Sequence, residues 1–449
     1  MNVILVSLDT TRADHLSCYR WPRLTSPHLD RLAEEGILFE RCFSPWIPTH
    51  PAHTSLFTGQ DPMRHQVIAQ GGKAELAAEI PTLAELLRDR GYFTAAADNL
   101  GRWFSRGVAL YRTYRWTHDP SGGWRKGEAV TEAALEVLNA AACQDRPFFL
   151  FLHYWDPHTP YLPPSPFDRL FYTGDDPDAS RDHRGMAPVL NFPPFGGYFR
   201  DWMGDVTDIE FPKAQYDAEI AYMDACLQHV WTRLEELNLA DRTLVVVTAD
   251  HGEELDEHQM WFDHHGLYDT NLHIPLILRG PDIPRGARVE LPVRLVDVAP
   301  TILSYLGFEG LPADLGLVGE SLLPALAGGV DRGTGETLYL TECTWMRKRG
   351  LRTREWKLIV ARDHPDIHGR PPVELYHLPT DPGEQRNLAD ERPDVVTRLK
   401  ADLFAWVARR QRETGLPDPI EAQEITLRQI GGKTAPRPPD GKIAPSSSG

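Results

Sequence analysis

Three places along the chain carry side chains that combine into hydrolytic chemistry. Asp9 closes the apolar run Val3-Ile4-Leu5-Val6-Ser7-Leu8, and Asp250 closes Leu244-Val245-Val246-Val247-Thr248 one residue later, with His251 directly after it. In an open parallel sheet, ligands collect beyond the carboxyl ends of the strands, so acids at two such ends converge on one site. Carboxylate oxygen mixed with imidazole nitrogen suits a divalent zinc or manganese ion better than calcium. The third place is Pro48-Thr49-His50-Pro51-Ala52-His53. Pro51 fits the first turn of a helix, whose N–H groups and dipole then face Thr49 and any anionic ester beside it. A threonine hydroxyl is a poor nucleophile at neutral pH until a metal lowers its pKa, which makes the two acids and His251 its natural companions. Singly, each feature has a plainer use as a strand-ending acid or a helix cap. Together they point to chemistry.

Positioning these groups takes a sheet. Residues 3–8, 93–97, 148–153, 244–248 and 276–278 are apolar runs, mostly rich in β-branched or aromatic residues, bounded by turn residues, the pattern of buried parallel strands. Between them lie helical stretches at 81–87 and 216–237. In the second, Tyr216, Ile220, Met223, Leu227, Val230, Leu234 and Leu237 fall on one face. Alternating strand and helix gives an α/β layered domain over residues 1–335. Within it, about 155–212 loses periodicity to Pro, Gly, Asp and aromatic residues and reads as an irregular insertion. Residues 336–430 change to short strand-like runs at 337–341, 356–360 and 374–377 and a helix at 393–409, a small C-terminal α+β subdomain. Residues 431–449 have little to bury and are expected to be disordered.

The bulk properties narrow the partners. A net charge of −17 works against a long polyanion, so nucleic acid is not expected, and no run reaches the roughly 18 apolar residues of a membrane helix. The expected partner is a small anionic ester substrate gripped by local cations, and a homo-oligomer is compatible with the composition. Five scattered cysteines without a CxxC pair read as reduced thiols. The chain runs from Met1-Asn2 straight into apolar sequence without the basic flank or cleavage site of a signal peptide, which predicts a cytoplasmic location.

Several motifs in order resemble the sulfatase-like family of the alkaline phosphatase superfamily. They are Leu8-Asp9-Thr10-Thr11-Arg12-Ala13-Asp14-His15-Leu16, Thr25-Ser26-Pro27-His28-Leu29-Asp30-Arg31-Leu32-Ala33, Ser55-Leu56-Phe57-Thr58-Gly59, Pro157-His158-Thr159-Pro160, Thr248-Ala249-Asp250-His251-Gly252-Glu253 and Glu374-Leu375-Tyr376-His377-Leu378. The resemblance implies a large mixed, mostly parallel sheet between helices, with a smaller C-terminal sheet. It implies Asp9, Asp250, His251 and Thr49 as metal ligands and Thr49 as nucleophile. His158 matches the family histidine near the scissile ester. His53 and His265 join it as catalytic candidates, and Asn99 and His264 as substrate contacts. In two-metal relatives, histidines at comparable places serve a second ion, so His264 or His265 with Asp156, His158 or His153 makes a second site a candidate, for one or two ions per chain.

Two departures decide the chemistry expected. Sulfatases oxidise the Cys or Ser of a C/S-x-P-x-R motif to formylglycine, whereas the aligned residues here are Thr49, Pro51 and His53. A secondary alcohol cannot become that aldehyde, so the hydrate that expels sulfate is closed to it. A phosphothreonine is instead released by water attacking phosphorus. Thr-x-Pro-x-His is similar to the pattern of nucleotide pyrophosphatase/phosphodiesterases and phosphoethanolamine transferases. Thr10 also stands where many sulfatases carry a second metal-binding Asp, and no lysine adjoins the motifs. The expected activity is hydrolysis of phosphodiesters or phosphonate monoesters, with a sulfuric ester hydrolase as the rival and a phosphoryl transferase or an inactive binding module behind it.

Overall fold

In the computed structural model the strand Asn2–Leu8 is buried along its whole length and runs through the middle of an eight-stranded sheet. The structure describes residues 1–120, 122–174, 176–177, 185–308, 310–326, 337–424, 429–430 and 433–434. Across the sheet the order is Ala287–Val289, Ile37–Phe39, Leu276–Arg279, Thr243–Thr248, Asn2–Leu8, Phe148–Tyr154, Phe93–Ala97 and Leu110–Arg112. Successive side chains leave to opposite faces. Ile4, Val6 and Leu8 pack under the helices Lys126–Ala142 and Glu210–Glu236, while Val3 and Leu5 pack under Thr49–Thr58 and Val298–Tyr305. Each such fully buried aliphatic side chain contributes about 1.5–3 kcal/mol, which is why the central runs are apolar at most positions.

The pairings are parallel except at Leu276–Arg279, which runs antiparallel to both Thr243–Thr248 and Ile37–Phe39. This corrects the expectation of a parallel strand there. A parallel return needs a crossover to the opposite end of the sheet. After Thr248 the chain instead folds back over the carboxyl edge through residues 249–275, with only short elements on the way: the 3-10 turn Glu257–Gln259, the helix Asp269–Leu272 and the strand His273–Ile274. The expected irregular insertion contains two short helices, Met186–Leu190 and Gly196–Met203, before Glu210–Glu236 begins. Phe195, Phe199 and Met203 are buried in the main core, so packing supplies the order that local pattern does not.

The C-terminal sheet has the order Val373–His377, Trp356–Ala361, Lys348–Arg352, Leu338–Glu342 and Trp46–Ile47. The helix Pro393–Thr414 covers it with Val395, Leu399 and Leu403. Its last strand comes from the N-terminal part of the chain, two residues before Thr49, and pairs Trp46 with Thr341 and Ile47 with Glu342. The expected disordered tail lies outside the described residues apart from Lys433–Thr434, which pairs with Gln429–Ile430. No helix among the described residues is long and apolar enough to cross a membrane, and all five cysteines are unpaired.

One ion-pair cluster fastens the C-terminal sheet to the loop that carries the candidate site. Asp269 takes both Arg352, at 2.7 Å, and Lys357, at 2.6 Å. Burial works against the Asp269 charge, but the two cations hold its carboxyl far below the usual carboxylate range. Removing Asp269 leaves Arg352 without its carboxylate, whereas Lys357 keeps Glu384 at 2.6 Å. Asp269→Asn should therefore cost about 3 kcal/mol, the low end for such a loss because a quarter of the side chain meets solvent. Since the folded pKa is depressed, this contribution is present above the unfolded value of about 3.9 and is lost as pH falls below it. Urea unfolding of both proteins at pH 7 and pH 3 tests this, with the gap between them narrowing at the lower pH.

Candidate active site

Register brings the two strand-end acids together. Asn2–Leu8 and Thr243–Thr248 are parallel neighbours with Ser7 opposite Thr248, so two further residues along each strand place Asp9 beside Asp250. Both are fully buried. Thr10 takes φ 53°, a left-handed conformation that costs a β-branched residue about 1–3 kcal/mol. Tyr216 holds it there: its hydroxyl donates to the Thr10 carbonyl at 2.7 Å and accepts from the Arg12 N–H at 3.0 Å. The strained turn lays the Thr10 N–H on Asp250 Oδ1 at 3.2 Å.

His251 sits against both acids. Its Nδ1–H donates to the Gly252 carbonyl at 2.9 Å, which leaves the Nε2 lone pair facing Asp250 Oδ2 and the Thr49 hydroxyl, each at 3.2 Å. Donor atoms of Asp9, Asp250 and His251 lie within 4.8 Å of one another. Thr49 is the first residue of the helix Thr49–Thr58, with Pro48 as its cap, so the helix N-terminus faces the cluster as the position of Pro51 implies. One turn on, His53 donates from Nδ1 to the Thr49 carbonyl at 2.9 Å and accepts the Ser7 hydroxyl on Nε2 at 2.9 Å. Burial holds its pKa below the ordinary histidine range although Asp250 is 3.7 Å away.

The other candidates divide by distance. His264 stacks 4.5 Å from His251 and 5.4 Å from His158, which brings both rings to the cluster. Its Nδ1 is 3.6 Å from Glu253 and 3.5 Å from Asp263, forming a second buried group of metal-type donors. His265 turns the other way and packs on His368 and Phe195. Asn99 is tied to the Tyr114 backbone through both its amide and its carbonyl, at 3.2 Å each. His153 and Asp156 do not join His264. His153 lies between Asp9 and Asp98, and Asp156 lies 3.5 Å from Lys126. Burial alone would lower the His153 pKa, but hydrogen bonds to those two carboxylates push it up to about 10. Burial likewise opposes the charge on Asp9, and the His153 hydrogen bond overcomes it, holding Asp9 far below the carboxylate range.

Sequence patterns missed Lys126. It stands at the start of the helix Lys126–Ala142, 32 residues before the Pro-His-x-Pro motif, yet its ammonium donates to the His158 carbonyl at 2.9 Å. Asp156 and Glu219, at 3.5 and 3.7 Å, balance its charge.

A model of the sulfatase family matches residues 1–308, and a second, described as N-sulphoglucosamine sulphohydrolase, C-terminal, matches residues 256–409. The chain belongs to the sulfatase family. Among its relatives is the multifunctional alkaline phosphatase superfamily protein PehA of Trinickia caryophylli, 28% identical over 73% of this chain and 77% of that one. Arylsulfatase K of Gallus gallus is 30% identical over 96% of this chain and 87% of its own. The phosphonate monoester hydrolase of Agrobacterium radiobacter shares the fold, with a TM-score of 0.69 at 23% identity, over 97% of this chain and 100% of that chain.

Sulfatase-family enzymes use a divalent metal ion, and the donors here fit one. Asp9 Oδ1 is buried and accepts no hydrogen bond among the described residues, and two carboxylates, an imidazole and a hydroxyl surround the same point. A ligand that binds only the folded state stabilises it by about 2.7 kcal/mol at a hundred times its Kd. Chelator treatment should therefore lower the melting temperature, and zinc or manganese should restore it. Asp250→Asn should abolish the restoration, with calorimetry of both proteins, with and without metal, as the measurement.

Proposed function

We propose that this sulfatase-family hydrolase cleaves phosphodiesters or phosphonate monoesters through a covalent phosphothreonine on Thr49, with a divalent zinc or manganese ion held by Asp9, Asp250, His251 and Thr49. The carrying observation is the Thr49 hydroxyl itself, at a helix N-terminus and 3.2 Å from His251 Nε2, in the place of the family's formylglycine precursor. When bound, the cation supplies positive charge that makes the hydroxyl acidic and offsets the charge of the phosphoryl oxygens.

The chain's own residues supply the rest. Thr49 Oγ attacks phosphorus in line, the bond to the leaving oxygen breaks, and His158 gives that oxygen a proton. Backbone N–H groups at the start of Thr49–Thr58 accept the growing negative charge. Water then gives a proton back to His158 as it attacks phosphorus from the vacated side, and Thr49 leaves, regaining the proton its hydroxyl shed to solvent on attacking. His53 touches the Thr49 backbone with one ring nitrogen and Ser7 with the other, so its part is to fix the nucleophile's turn. His264 lies beside His158, where it can contact the ester, while His265 packs on His368 and Asn99 is held by the Tyr114 backbone.

The names of the relatives favour a second reading, sulfuric ester hydrolysis, since arylsulfatase K stands among them. The nucleophile favours phosphorus, because a sulfated threonine has no aldehyde hydrate through which to collapse. Thr49→Ala should lower kcat/KM by about three orders of magnitude or more, as loss of a nucleophile does, with the melting temperature nearly unchanged. Thr49→Ser should keep part of the activity. Bis(4-nitrophenyl) phosphate and 4-nitrophenyl phenylphosphonate should both outrank 4-nitrophenyl sulfate under one metal and pH. Wild-type turnover in Thr49→Ala, or sulfate ranking first by a wide margin, would overturn the proposal.

A further inference from the structure

Four adjacent parallel strands end in a continuous row of polar side chains. Asp250 follows Thr243–Thr248, Asp9 follows Asn2–Leu8, His153 lies near the end of Phe148–Tyr154, and Asp98 follows Phe93–Ala97. His153 links the last three: Nε2 is 3.1 Å from Asp9 Oδ2 and Nδ1 is 2.9 Å from Asp98 Oδ1. Carboxylates accept only, so the imidazole donates at each end. Asp98 is fixed in turn. It accepts the Leu100 N–H at 3.0 Å on the oxygen that meets His153, and the Tyr111 hydroxyl on the other. The imidazole ring has no freedom to swing, with His53 centred 4.7 Å away and Trp155 4.8 Å away. All three linked residues are fully buried.

We propose that His153, held by Asp98, is a positioning residue that takes one oxygen of Asp9 and thereby aims the other, Oδ1, at the cation. This rests on the cation reading above. The division of labour at Asp9 carries the argument: Oδ2 is bonded to His153, while Oδ1 accepts nothing among the described residues and is as buried as its partner. A row of this kind is a costly way to fill a core. Two buried carboxylates and an imidazole are commonly no more stabilising than apolar residues of the same volume, so packing alone gives no reason for them. Hydrogen bonds from outer groups to a ligating carboxylate fix its orientation, and their loss typically weakens metal binding by about 10- to 100-fold.

The test measures zinc and manganese affinity by competition with a chromophoric chelator, for wild type, Asp250→Asn, His153→Leu, His153→Gln and Asp98→Asn. Melting temperatures of the metal-free proteins serve as the fold control. His153→Leu should bind metal about 10- to 100-fold more weakly. His153→Gln, whose amide nitrogen stands where Nε2 stood, should recover most of the loss. Asp98→Asn, which touches no ligand, should weaken binding through His153. At saturating metal, KM for bis(4-nitrophenyl) phosphate should stay near wild type in all three. Folded His153→Leu with affinity within twofold of wild type would overturn the proposal. Should that variant fail to fold, unchanged affinity in Asp98→Asn overturns it equally. Failure of the cation reading looks different: wild type and Asp250→Asn would then bind alike.

Discussion

Burying two carboxylates side by side is the constraint on which the site depends. Asp9 and Asp250 are both excluded from solvent at neighbouring strand ends, where like charges repel and desolvation penalises each. The surrounding structure answers that penalty group by group. Thr10 accepts a left-handed turn to give Asp250 an N–H, the His251 backbone N–H gives it another at 2.9 Å, and His153 gives Asp9 a hydrogen bond. The middles of the central strands can be apolar because the charged side chains of the sheet collect at this edge, with Asn2 and Thr243 hydrogen-bonded at the other.

The proposed nucleophile is tied to two parts of the molecule. Thr49 begins a helix whose preceding strand, Trp46–Ile47, is the edge of the C-terminal sheet rather than a member of the large one. That sheet is also locked to the loop after His251 through Asp269, Arg352 and Lys357. The acids therefore stand on the large sheet, and Thr49 on a helix that packs against the large sheet while continuing from the edge of the small one. The 3.2 Å between Thr49 Oγ and His251 Nε2 is a distance across that junction. The C-terminal sheet, which carries a single one of the sequence motifs along Val373–His377, helps set where Thr49 stands beside the acids.

How much of this was legible in the sequence follows from which features are local. Asp9, Asp250, His251 and Thr49 each sit at the end of an element with a strong pattern of its own, so type and spacing sufficed to group them. His153 lay in a run read correctly as a strand, but its partners Asp9 and Asp98 come from the strands on either side. Register between uniformly apolar strands leaves no alternation to read. Lys126 reaches His158 from a helix start, and nothing near it marks the contact. Trp46–Ile47 is two residues long, too short to have a period, so the tie between the C-terminal sheet and Thr49 was invisible. The direction of Leu276–Arg279 was missed for a related reason: a four-residue apolar strand looks the same either way round.

Charge accounting across the site separates substrates that the nucleophile alone does not. The proposed divalent cation is matched by Asp9 and Asp250, the raised pKa of His153 gives a cation matched by Asp98, and Lys126 is matched by Asp156 and Glu219. What is left for the ester is roughly half a charge from the N-terminus of Thr49–Thr58, with His158; His264 already faces Glu253 and Asp263. A diester or phosphonate monoester brings one negative charge to that surplus, and a phosphate monoester brings nearly two at neutral pH. The second charge would enter a buried site without a counter-charge, at the expense that burial attaches to any unpaired ion. A sulfate ester also carries a single charge, so on the proposed reading electrostatics disfavours the phosphomonoester, and the discrimination against sulfate falls to chemistry, through a threonine that can be esterified but cannot expel sulfate as an aldehyde hydrate does.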